Sequence, residues 1–380
     1  MSFTYIPRQL LSVLRERLIE SSKIIVLYGA RQVGKTTLIR QVLADLPYKT
    51  LSINADEKRY TDVLSSRDFA QMQRLVGGYE LLFIDEAQRI PDVGINLKIL
   101  HDALPALKII VTGSSAFELS NRTQEPLTGR TWTYRLFPIA YTELRLLYNP
   151  FQLDAQLEAL LLYGSYPEAL NLPNQTDKVQ FLHELSTAYL YKDVLEIASI
   201  KHTHKLQQLL RLLAFQVGTQ VSLNELGNAL QMSKDTVAHY IDLLEKSFVV
   251  FRLSGFSRNL RKEVVKMDKI YFYDLGVRNA LINNFNPLTL RNDVGALWEN
   301  FLISERRKHN AYQNRFVNTY FWRTYTGAEI DYLEEANGML AGFEFKYSDK
   351  SPKAPDSWLK TYPEATFKGI HRGNYDTFLG

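Results

Sequence analysis

The stretch VLYGARQVGKTTL, residues 26–38, narrows the folds open to this chain more than any other. Gly29, Gly34, Lys35 and Thr36 spell G-x-x-x-x-G-K-[ST], a phosphate loop that works only between a strand and a helix. Both flanks read that way: Lys23–Tyr28 is a short apolar, β-branched run, and Lys35–Ala44 has helical character. The expectation is an open α/β sheet with its ligand at the carboxyl ends of the strands. Gly29, Ala30, Arg31, Gln32, Val33, Gly34, Lys35, Thr36 and Thr37 form the candidate cradle for the phosphates of ATP or GTP. The glycines let backbone N–H groups curl around the β-phosphate, and the helix N-terminus adds a partial positive charge of about one half. Lys35 would neutralise the β- and γ-phosphates, and Thr36 would offer its hydroxyl to Mg²⁺.

A second motif supports the first. In LLFIDEAQRI, a strand from Leu81 to Ile84 delivers Asp85 and Glu86 at its end. Alone, such a pair reads as a helix cap followed by a first-turn acid. Behind a phosphate loop, Asp85 reads as the outer holder of Mg²⁺ and Glu86 as the group that polarises the attacking water. Between the two motifs, YKTLSINADE is a further strand candidate, and an inserted strand marks the branch of phosphate-loop ATPases with a catalytic Glu on the sheet. LKIIVTGSSAFEL then places Ser114 and Ser115 at a strand tip, either to contact the γ-phosphate or to cap the next helix. Arg122, Arg130 and Arg135 are candidates for an arginine finger, with Arg130 at the Gly129 turn the first choice. A finger reaching a neighbouring copy would require an oligomer; one acting within the chain would not.

YGARQVGKTTL, LLFIDEAQRIPD, VTGSS, RLFPIAYTEL, YGSYPEAL and DKIYFYDLGVRNAL together resemble the prokaryotic AAA+-superfamily ATPases that join an AAA-type domain to a C-terminal domain of unknown function numbered 4143. The resemblance covers nearly the whole chain. It implies an ATP-binding module related to archaeal ATPases and origin-recognition-like proteins, and a C-terminal domain similar to PD-(D/E)XK nucleases. One departure stands before the IYFYD strand: the usual Pro-Lys is replaced by Met267-Asp268-Lys269.

The middle of the chain has helix-turn-helix grammar. Ser222 caps a helix holding Leu223, Leu226 and Leu230. Ser233 caps a second, with Val237, Ile241 and Leu244 facing in and Lys234, Thr236, His239 and Tyr240 facing out. Arg258, Arg261, Lys262 and Lys266 in the following turn would meet phosphates if the unit reads DNA. The alternative is a domain joint, since the recognition helix is poor in basic residues. Near the C-terminus, Glu299 lies on an amphipathic helix, Asp331 on one strand, and Glu344 and Lys346 on one face of the next. This is the order of residues in a PD-(D/E)XK nuclease, in which two carboxylates bind Mg²⁺ and the lysine steadies charge. It is also what the solvated face of an ordinary hairpin looks like.

The expected fold class is α/β: a P-loop ATPase domain with a parallel sheet (1–145), a helical lid (146–205), a winged helix (206–288) and a C-terminal α/β restriction-endonuclease-like domain (289–380). The length of 380 residues suits two to four such units. Cysteine is absent, which excludes disulfides and thiolate metal sites and fits a reducing cytoplasm. No apolar run approaches the ~20 residues needed to span a bilayer, so no membrane partner is expected. The formal charge of +4 permits a nucleic-acid partner without arguing for one. His202 and His204 have no acidic neighbours and read as surface residues. Three functions follow from these readings: an ATPase that rearranges its C-terminal domains and acts on DNA or a DNA-associated partner; an ATP-controlled nuclease; and a slow nucleotide-switched adaptor.

Overall fold

The computed structural model describes residues 5–114, 127–189, 203–257 and 268–380. Ser115, Arg122, His202, Arg258, Arg261, Lys262 and Lys266 lie outside these ranges. The first sheet is entirely parallel, with β1 (Ile24–Tyr28), β2 (Thr50–Asn54), β3 (Leu81–Asp85), β4 (Lys108–Gly113) and β5 (Thr131–Arg135) in the order β2-β3-β4-β1-β5. All five residues of β1 are buried, as a strand covered on both faces requires. Helices α1 (Leu10–Glu20), α2 (Lys35–Ala44), α3 (Lys58–Leu64), α4 (Phe69–Val76) and α5 (Val93–Ala103) surround the sheet. β4 separates the strand of the phosphate loop from the strand that ends in Asp85.

A short helix α6 (Tyr141–Leu144) leads into α7 (Pro150–Tyr163), α8 (Pro167–Asn171), α9 (Gln175–Glu184) and α10 (Thr203–Phe215). Next come α11 (Leu223–Leu230) and α12 (Lys234–Lys246), with Ser222 and Ser233 each accepting a backbone N–H at the helix start. Val237, Ile241 and Leu244 are buried. Tyr240 is buried too, which corrects its expected outward position. Its aromatic ring packs against the protein rather than being presented at the surface beside Lys234.

The second sheet holds six strands in the order β11-β10-β9-β8-β6-β7. They are β6 (Val250–Gly255), β7 (Lys269–Phe272), β8 (Asn318–Arg323), β9 (Glu329–Ala336), β10 (Met339–Phe345) and β11 (Thr366–Ile370). Between β7 and β8 run α13 (Leu275–Leu281) and α14 (Val294–Tyr312). α15 (Asp356–Thr361) crosses over to bring β11 parallel to β10, and α16 (Tyr375–Leu379) closes the chain. β8, β9 and β10 form an antiparallel meander, turned at Asn337 and Gly338, whose φ of 52° and 75° are those of a tight hairpin.

This sheet crosses the expected boundary at 288/289. β6 pairs in parallel with β8 through Ser254–Tyr320 and Gly255–Phe321, so the strands of the supposed wing and those of the C-terminal unit are one sheet. α13 packs on α7 so closely that a Cβ on Gly276 would lie 2.2 Å from the carbonyl oxygen of Tyr163. One apolar core runs from Ile24 through Trp298 to Phe378. A second, smaller core of Trp322, Trp358 and Tyr362 lies beneath α15. Among the described residues no helix is long and apolar enough to cross a membrane.

Candidate functional site

The phosphate loop leaves β1 at Gly29. A Cβ there would come within 2.2 Å of the Leu136 carbonyl oxygen, because β5 closes over this point with the Leu136 N–H bonded to the Tyr28 carbonyl. Gln32 and Gly34 take φ of 54° and 94°, and Gly34 starts α2. The first-turn N–H groups of α2 have no partner within the helix and face outward from its end. Lys35 is buried, its ammonium donating to the carbonyls of Gly29 (2.8 Å) and Ala30 (2.9 Å). Ala30, Arg31, Val33 and Thr37 complete the turn and the start of α2. A cavity of about 640 Å³ opens over the loop, lined by Arg31, Gln32, Lys35, Thr36 and Glu86 and by Pro167 of α8.

The Thr36 hydroxyl donates to Asp85 Oδ2 at 2.7 Å, bridging α2 and β3. Asp85 Oδ1 accepts from Thr112 of β4, a contact the sequence reading missed. Glu86 sits at φ 55°, a left-handed conformation that costs a residue with a Cβ about 1 kcal/mol or more. Its carboxylate accepts from Gln88, whose amide oxygen in turn accepts the Ser114 N–H at 3.3 Å. Ser114 is buried, and its Oγ has no hydrogen-bond partner among the described residues.

Arg130 lies apart from this constellation, so the structure does not bring it to the phosphate loop of its own chain. Its carbonyl accepts the Ile24 N–H, which sets it at the start of β1, a full strand away from the loop. Five residues of strand separate the two ends, about 16 Å. Its guanidinium forks onto Asp102 at 2.8 and 3.0 Å, and this bond holds the Asp102 carboxyl down to about 2. Arg135 ends β5 opposite Tyr28, with its guanidinium 4.8 Å from the Phe248 ring.

The C-terminal acids lie on three elements, α14, β9 and β10. Glu299 of α14 accepts from the Tyr271 hydroxyl at 2.5 Å and from Lys269 Nζ at 3.1 Å. Lys269 also meets Glu329 at 2.5 Å. Burial alone would lower the Lys269 pKa, but Glu299 and Glu329 outweigh it and hold the ammonium charged. Asp331 accepts the Phe345 N–H at 2.8 Å. Burial first, then Glu299 and Glu344, push its pKa well up; burial also raises Glu344. Lys346 is mostly exposed and stands 3.7 Å from Glu344 Oε1. Among the described residues no three or more His, Cys, Asp or Glu side chains are arranged to hold a metal ion. Lys269 and Tyr271 are the residues that sequence reading missed here. The departure at Met267-Asp268-Lys269 pointed at the position but not at its burial.

Comparison with known proteins adds to this geometry. Residues 21–145 match the AAA domain family. Residues 154–288 match one domain of unknown function (DUF8612) and residues 294–374 another (DUF4143). An uncharacterized protein of Mycobacterium tuberculosis is 28% identical over 334 residues, which is 87% of this chain and 71% of the relative. One of Methanocaldococcus jannaschii is 23% identical over 332 residues, 82% of this chain and 72% of the relative. Among solved structures, the chain is similar to a Walker-type ATPase of Pyrococcus abyssi (17% identity, TM-score 0.49, 73% of this chain and 96% of that one). It is also similar to the RuvB Holliday junction branch migration motor of Thermotoga maritima (17% identity, TM-score 0.32, 65% and 90%). The chain thus carries an AAA-type P-loop domain over residues 21–145. A DUF4143 domain follows over residues 294–374, and its match begins at the first residue of α14.

Proposed function

We propose that this protein is an ATPase whose turnover at the phosphate loop rearranges the sheet and helices that follow it. The observation that carries the reading is the chain of contacts from Thr36 to Asp85 to Thr112 beside a buried Lys35 and a strained Glu86. The donor set fits a nucleotide with Mg²⁺: the Thr36 hydroxyl and the Asp85 carboxylate share one point, and the orphaned Ser114 hydroxyl lies at the tip of the adjacent strand. When bound, Mg²⁺ would supply charge neutralisation between the phosphates.

The remaining chemistry falls to the chain's own groups. The N–H groups of the loop and of α2 bind and orient the β-phosphate. Lys35 exchanges its two carbonyl acceptors for phosphate oxygens. Glu86 takes the proton of the attacking water as the bond from water oxygen to the γ-phosphorus forms and the bond to the leaving ADP oxygen breaks. Gln88 occupies Oε2 of Glu86, which leaves Oε1 to take that proton. Phosphate release by purified protein tests the reading. Lys35→Ala should lose binding and turnover, and Glu86→Gln should keep binding and lose turnover. No binding or turnover by the wild type would overturn it.

A second reading, Mg²⁺-dependent cleavage of DNA, is supported by one observation. The order α14-β8-β9-β10-α15-β11 carries Glu299, Asp331 and Glu344 on its first helix, second strand and third strand, with Lys346 one residue past the end of the third strand. Lys269, seated among these acids, weighs against it. Plasmid nicking with Mn²⁺ by wild type but not by Glu344→Ala would favour it, and equal nicking by both would sink it. Contact with DNA through α12, and assembly into oligomers, belong to the same reading of the chain as a machine acting on a partner.

A further inference from the structure

Arg8 lies outside every motif, yet it is buried and its guanidinium is bonded to four parts of the fold. Nη1 donates to the Val33 carbonyl in the phosphate loop at 2.7 Å. Nε donates to Glu143 of α6 at 3.0 Å. Nη2 donates to the Phe137 carbonyl at 2.6 Å and to the Tyr312 hydroxyl at 3.3 Å. Tyr312, the last residue of α14, also accepts the Phe137 N–H at 3.2 Å. Glu143 is fully buried and spends its other contacts on the Gln9 and Ala140 N–H groups. A buried guanidinium is costly unless its donors are matched, so the loop, the exit of β5, α6 and α14 cannot shift independently.

α14 is held to the first domain by the same face. Lys308 pairs with Glu305 at 2.6 Å and reaches Ser165, while Glu305 accepts the Tyr141 N–H at 2.6 Å. Glu305, Lys308 and Tyr312 follow at helical spacing along one stripe. Thirteen residues before Tyr312, about 20 Å along the same helix, stands Glu299 in the acidic cluster. One rigid element therefore ends on Arg8 beside the phosphate loop and carries the acid that Lys269 holds.

We propose that Arg8 is a positioning residue of the phosphate loop, and that through Tyr312 it makes the shape of the loop depend on how α14 is seated. The contacts are made by the chain's own groups; their bearing on ATP rests on the ATPase reading above. A buried residue that served only the core would change global stability. A positioning residue changes the loop.

The test uses the full chain with two variants. Tyr312→Phe removes the hydroxyl and keeps the ring beside Phe137, whose centroid is 5.7 Å away. Arg8→Lys keeps the charge and loses the fork. Hydrogen exchange of the peptide spanning 29–36 is measured in nucleotide-free protein, with a β9–β10 peptide as internal reference, alongside the affinity for a fluorescent ATP analogue. Tyr312→Phe should speed loop exchange by about fivefold over the reference and weaken the analogue by a similar factor, and Arg8→Lys should do more of both. Unchanged loop exchange in the folded variants, or equal acceleration of loop and reference, would overturn the proposal. A wild type that binds no analogue while the variants still loosen the loop would remove the ATPase reading and leave the role of Arg8 in place.

Discussion

Replacing Lys269 with Met removes the ammonium that the structure seats between Glu299 and Glu329, and keeps most of the apolar stem. Lys269 is 3% exposed as a side chain, and Glu299 only 15%. Removing one partner of such a pair costs about 3–5 kcal/mol, and the lower end applies here because Glu299 keeps the Tyr271 hydroxyl and Glu329 keeps Arg323 at 3.7 Å. With an unfolding entropy of about 2.1 cal/mol/K per residue over 380 residues, the melting temperature should fall by about 4 °C if the chain unfolds as one unit. The loss should depend on pH, and its sign follows from the neighbours. Burial and mutual repulsion hold Asp331 and Glu344 above their ordinary values, and Lys269 pulls Asp331 back down. A carboxyl with a raised folded pKa gives its full stabilisation below the unfolded value of about 4 and loses it as pH rises through the folded value. Without Lys269 the Asp331 value rises further, so the deficit of Lys269→Met should be small near pH 5 and grow towards about pH 8. Circular-dichroism melts of both proteins at the two pH values measure it. An equal deficit at both would mean that Lys269 does not act through the titration of Asp331.

Gly29→Ala places a Cβ on the Leu136 carbonyl oxygen, and should cost about 3 kcal/mol and abolish binding of an ATP analogue, read by melting and fluorescence titration. Thr36→Val removes the hydroxyl that Asp85 accepts; phosphate release should fall by about a hundredfold with the melting temperature little changed. Arg130→Ala should leave phosphate release within about twofold of wild type, because Arg130 pairs with Asp102 a strand's length from the loop.

The parts legible from sequence are those in which a local rule repeats. Continuous apolar runs marked β1, β3 and β4, and serine caps marked α11 and α12. The phosphate loop was legible because its function requires Gly, Lys and Thr at fixed spacing. What escaped has no local signature. The pairing of Ser254 with Tyr320 joins strands 66 residues apart, and nothing near either residue announces the other. Arg8 and Lys269 are single charged residues whose partners come from distant segments, so each reads as a surface residue until the fold buries it. Arg130 shows the opposite limit. A glycine turn before an arginine is a sound local cue, but which end of the sheet the turn occupies is set by strand direction, and that is a property of the whole domain.

The junction of β6 with β8 decides how the protein can be divided. A fragment beginning at residue 289 would keep Glu299, Asp331 and Glu344 but lose Lys269, leaving the acids without their buried counter-ion. It would also strip β8 of its neighbour and expose a row of unpaired backbone donors and acceptors beside Phe321 and Trp322, a template for aggregation. The complementary fragment would lose Tyr312 and Glu305, and with them partners of Arg8 and Tyr141. Insolubility of an isolated C-terminal piece would therefore reflect where it was cut, and soluble expression of that region calls for a start ahead of Val250 so that β6 and β7 travel with it.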